Sequence, residues 1–157
     1  MSELSGRAAS WLVAPLILGV TYEVFARYLL NAPTAWAYDL SYMLYGSIFM
    51  LGAAYALRHG AHVRTDFLYN DWSERRKAAA DAAGYVLFLP ALLFYLLALG
   101  RQAHHSWVIG EVSVESAWRA PLYPFKAMMV VAMALLLLQA VVEFLRTLAA
   151  LRRPPAE

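Results

Sequence analysis

The sequence predicts an all-α integral membrane protein, four transmembrane helices forming one domain over residues 1–157. Three observations carry that expectation. Hydrophobic residues make up 62% of the chain and charged residues only 15%, against about 45–50% and about 25% in a typical soluble domain. The apolar residues fall into four runs, each near the roughly 20 residues that a membrane-crossing helix needs. The basic residues gather at the ends of those runs. A segment in lipid must satisfy its own backbone, which leaves helix as the available form.

The first crossing is expected over residues 8–30 and is uncharged between Arg7 and Glu23. The second spans 35–57 and carries Asp39 in its first turns, where a carboxylate suits the positive end of a helix. Between the two, Asn31 and Pro33 break the chain and Thr34 offers a cap. The third crossing, 80–103, has no charge from Ala82 to Gly100, and Pro90 inside it predicts a kink. Ahead of it, Ser73 and the helix formers that follow predict a short surface helix between the second and third crossings. The fourth crossing, 121–148, is uncharged from Ala127 to Val142, with Lys126 placed to snorkel at its start.

Topology follows from the charges. Nine of the thirteen basic residues lie on the side shared by both ends of the chain and the 58–81 segment. Arg27, Arg101, Arg119 and Lys126 lie on the other. The positive-inside rule then places both termini in the cytoplasm, with the turns at 31–35 and 101–120 facing out. Trp11, Trp36, Trp72, Trp107 and Trp118 all fall near the predicted boundaries, as an aromatic belt requires. The first run is too long, and the Glu23–Arg27 pair too close to the formal A-x-A at Ala35, for a cleaved signal peptide.

Composition also excludes chemistry. With no cysteine, disulfides, thiolate zinc sites and iron–sulfur clusters are ruled out. No basic face with aromatic platforms suggests nucleic acid. His62 and Asp66 are four residues apart, but only His59 could join them, too few ligands for a metal; a hydrogen-bonded loop pair is the simpler reading. His59 and His62 lie a membrane thickness from His104 and His105, so no two histidines share one haem pocket. No cofactor is expected, and no nucleophile–base set is present, so the chain is not read as an enzyme.

The pair Glu23 and Arg27, one helical turn apart with the acid first, is in the favoured order for an ion pair. It admits three readings. In the first the pair only sets helix depth, in the second Arg27 reaches a partner chain or a lipid headgroup, and in the third Glu23 binds cations as in a stand-alone small multidrug exporter. The adjacent arginine argues against the last. With polar groups confined to the rims and no broken-helix pair at mid-membrane, the chain reads as an accessory subunit that handles no solute itself.

The ordered set Arg27, Tyr28, Pro33, Trp36, Asp39, Gly52, His62 and Asp66 resembles the small membrane subunit (DctQ-like) of tripartite ATP-independent periplasmic (TRAP) transporters. WRAPLYPFK at 118–126 and Leu138-Gln139 extend the likeness, although many relatives start the fourth helix with a Pro-Gly type sequence. The resemblance implies a bacterial inner-membrane subunit that braces a larger one, which holds the substrate and sodium sites. It also implies a periplasmic substrate-binding protein as partner, and uptake of an organic acid driven by an ion gradient. On that footing Glu23, Arg27, Tyr28, Trp36 and Asp39 are the expected interface with the large subunit or lipid. Glu111, Glu115 and Arg119 are the candidates for docking the binding protein.

Overall fold

A computed structural model of the chain describes residues 2–59 and 72–152. It contains four long helices: α1 (Ser2–Tyr28), α2 (Ala37–Arg58), α3 (Glu74–Ile109) and α4 (Tyr123–Arg152). All four are long and apolar enough to cross a membrane. The expected pair His62 and Asp66 lies outside the described residues.

Each helix ends for a local reason. Asn31 takes the left-handed conformation at φ 48°, which turns the chain back as α1 closes, and the Ala32 N–H reaches the Ala26 carbonyl at 2.9 Å. Thr34 does not cap α2. Trp36 holds the N-cap position without a side-chain bond, and the Thr34 hydroxyl goes to Glu23. Ser73 stands at the N-cap of α3, again with no side-chain cap bond.

The third helix differs from its sequence expectation. The surface segment at 74–81 and the crossing join without a break into one rod of 36 residues. That is about 54 Å, well beyond the roughly 30 Å of a hydrocarbon core. No glycine–proline signal separates the two parts, and Pro90 sits inside a continuous helix. The helix also runs six residues past the predicted end at 103, stopping only at Gly110, whose φ of 61° suits the left-handed cap. The Glu111 N–H bonds the Ser106 carbonyl (3.0 Å) and the Gly110 N–H the Trp107 carbonyl (3.3 Å), which is the Schellman arrangement.

Helix α1 packs along α2 and α3 along α4, and α2 joins the two hairpins by packing on α4, while α1 barely meets α4. The spatial order is therefore α1–α2–α4–α3. A core of Ala54, Leu92, Leu99, Met133, Leu136 and Ala140 fills mainly the α3–α4 seam. Ala54, Ala132 and Ala140 are almost completely buried, since small side chains let membrane helices approach and gain packing contacts. Gly46 serves the α2–α4 crossing in the same way: a Cβ there would lie 2.8 Å from the Phe125 ring. Gly46→Leu is expected to separate the hairpins and cost about 1–3 kcal/mol, read as a lower melting temperature of the purified protein.

The helices do not bury one another as a closed bundle does. Only 6–22% of the residues in the apolar stretch of each crossing are fully buried within the chain, and large apolar side chains such as Leu18, Phe49, Leu87 and Phe94 stay exposed, open to lipid or to another protein.

Candidate functional site

Both connecting segments, 29–36 and 110–122, lie at one end of the bundle, opposite the chain termini. Three polar assemblies are built there.

The first centres on Glu23, in the penultimate turn of α1. One carboxylate oxygen accepts from Arg27 Nε at 2.9 Å and from Arg27 Nη2 at 2.6 Å. The other accepts from the Thr34 N–H at 3.0 Å and from the Thr34 hydroxyl. Glu23 thus orients Arg27 and staples the α1–α2 turn to the end of α1. Its side chain is 14% exposed, whereas that of Arg27 is 55% exposed. Trp36 stacks on Tyr22 (centroids 5.9 Å, interplanar angle 18°), and Tyr28 is exposed.

The second assembly was not legible as such in the sequence. Asp39, in the first turn of α2, is 2% exposed. Its carboxylate accepts from the Ser113 hydroxyl at 2.8 Å and the Ser116 hydroxyl at 2.5 Å. Asp39, which the sequence places on the outer rim with Arg27, lies beneath the 110–122 segment. Buried carboxylates need such donors, and the two serines occupy it from within the chain. Sequence reasoning missed Ser113 and Ser116 because their partner lies 74 and 77 residues away.

The third assembly closes the 110–122 segment on itself. The Ser113 N–H donates to the Ala120 carbonyl (2.8 Å) and the Leu122 N–H to the Glu111 carbonyl (2.9 Å), around a bridge between Val112 and Pro121. Lys126 Nζ reaches Glu111 at 2.5 Å. That ion pair holds the Glu111 carboxyl below the usual carboxylate range. A depressed value means the pair stabilises the loop above the ordinary carboxylate pKa and loses that effect as pH falls through the lowered value. Acid titration is therefore expected to loosen the 110–122 segment, and Glu111→Gln to flatten that dependence, with protease cleavage of the segment as the measure.

Of the three docking candidates, Glu111 is engaged within the chain. Glu115 and Arg119 are exposed on the loop, beside Val114 (86% exposed) and Trp118. Arg119 adopts φ 52°, uncommon for a non-glycine residue, and is held there between the bonds that close the segment. Among the described residues, no group of three acidic or histidine side chains could hold a metal ion.

The family model for the DctQ component of tripartite ATP-independent periplasmic transporters matches residues 16–150. A stretch of 66 residues is 29% identical to the sialic acid TRAP transporter small permease protein SiaQ of Vibrio cholerae serotype O1. That stretch covers 42% of this chain and 38% of the relative. Family and helices together describe a multi-pass protein of the bacterial inner membrane, a non-catalytic part of a transport system. The chain belongs to the DctQ-component family of tripartite ATP-independent periplasmic transporters, as their small permease subunit.

Proposed function

We propose that this subunit braces a larger membrane subunit that carries the substrate, and that its 110–122 loop helps dock a periplasmic substrate-binding protein. Both termini are cytoplasmic in this reading, and the loop end faces the periplasm. The observation that carries it is the open α1–α2–α4–α3 arrangement, in whose crossings at most 22% of the residues are fully buried. Such a slab has extended apolar faces for a partner. Arg27, oriented by Glu23, together with Tyr28 and Trp36, supplies the rim contact to the large subunit or to headgroups. Asp39 contributes from inside, by holding the loop that presents Glu115 and Arg119. The transported compound is an organic acid, taken up at the expense of an ion gradient; the name of the Vibrio cholerae relative, a sialic acid transporter protein, supports that class.

Reconstitution tests the reading. Liposomes holding this subunit and the large one, supplied with binding protein and an ion gradient, should accumulate substrate. Liposomes lacking this subunit should not, and the subunit alone should be inert. Arg119→Glu should raise the binding-protein concentration needed for half-maximal uptake by on the order of threefold, because a rim charge acts mainly on encounter. An unchanged requirement removes the docking role.

The exporter reading is not favoured. Both oxygens of Glu23 are engaged, by Arg27 and by Thr34, so the carboxylate is not free to bind a cationic substrate.

A further inference from the structure

At the other end of the bundle, a groove of about 490 Å³ opens between the start of α1 and the end of α2. Its presence follows from small residues. Gly52 has nothing within 4 Å of where a Cβ would stand, and Gly6 lies so close under the Tyr55 ring that a Cβ would be 2.4 Å from it. The helices therefore touch at Gly6 and Tyr55 and leave space beside that contact.

The lining changes character with depth. Arg7, Ser10 and His59 stand toward the helix ends, and Val13 and Ile48 lie nearer the membrane interior. The Arg7 side chain is exposed, and among the described residues no acidic side chain lines the groove. The His59 ring packs at a tilt of 33° against Tyr55, with centroids 4.1 Å apart. Its Nδ1 lies 3.0 Å from the Tyr55 carbonyl, which can only accept, so the Nδ1–H donates there and holds the ring against the end of α2.

We propose that this groove is a binding site for one anionic phospholipid, with the headgroup phosphate against the Arg7 guanidinium at the rim and the first part of an acyl chain against Val13 and Ile48. A cationic rim over an apolar floor, at the level of the headgroups, matches both parts of such a lipid, whereas a free phosphate would use only the rim. The site is independent of the docking reading, since it lies at the opposite end from the 110–122 loop.

Native mass spectrometry of the full-length, delipidated protein tests it, with phosphatidylglycerol and phosphatidylethanolamine as probes. One phosphatidylglycerol should be retained more tightly than phosphatidylethanolamine. Arg7→Gln should weaken that retention about fivefold, the effect of one basic residue near an anionic surface. Arg7→Lys should keep most of it, which separates lost charge from lost folding. Arg101→Gln, at the opposite end, should change nothing. Equal retention by wild type and Arg7→Gln, or equal loss in Arg101→Gln, overturns the site. Displacement of the lipid by millimolar glycerol phosphate also overturns it, because the ligand would then be phosphate alone.

Discussion

Asp39→Ala is expected to release the 110–122 segment from the bundle and reduce uptake while the four helices remain folded. The carboxylate is 2% exposed and accepts from two serine hydroxyls, one of them, Ser113, itself buried. Alanine removes both bonds at once and leaves the Ser113 hydroxyl without its acceptor. Hydrogen bonds to a charged group contribute about 1.5–3 kcal/mol each, and an orphaned buried hydroxyl adds to the loss, so at least about 3 kcal/mol of local stability is at stake. Asp39→Asn retains one carbonyl oxygen and should cost about 1 kcal/mol. The measurement is hydrogen exchange or protease cleavage across 110–122, followed by uptake at limiting binding protein. A loop as protected in Asp39→Ala as in wild type shows that the backbone bonds and the Glu111–Lys126 pair suffice without Asp39. A loosened loop with unchanged uptake would keep the clamp and remove its role in docking.

Glu23→Ala should be the more damaging change to the membrane domain itself. It strips Arg27 of its counter-charge close to the lipid boundary and frees the Thr34 N–H and hydroxyl that hold the α1–α2 turn. An unpaired arginine at that depth can snorkel, which limits the penalty, so the expected loss is about 2–3 kcal/mol. Glu23→Gln keeps an acceptor for part of the network and should lose about 1 kcal/mol. The staple therefore predicts a graded fall in melting temperature, alanine below glutamine below wild type. A transport carboxylate predicts a different pattern, in which Glu23→Gln melts normally and abolishes flux. That second pattern would overturn the bracing role.

The two variants also mark where sequence reasoning was sufficient. Glu23 and Arg27 are local: a spacing of four on a helix brings the side chains together whatever surrounds them, and the 2.6 Å pair follows from it. The second half of that assembly did not follow, because Thr34 belongs to a turn whose path depends on Asn31 at φ 48°. Asp39 shows the same divide more strongly. Its position in the first turn of α2 is as the helix dipole favours, yet its partners are set by which loop folds over it.

The four crossings were already carried by the length and spacing of apolar runs, because a bilayer imposes one length scale and one backbone solution on any chain that crosses it; the small membrane subunit assignment rested instead on the resemblance of residues such as Arg27, Trp36 and Asp39 to the family. What only the tertiary structure decided is the order α1–α2–α4–α3, the unbroken α3, the burial of Asp39 under Ser113 and Ser116, and the groove beside Gly6. Each of these depends on contacts between residues distant in the chain or on small side chains meeting across helices, and a pattern read along one strand of sequence does not specify which faces meet.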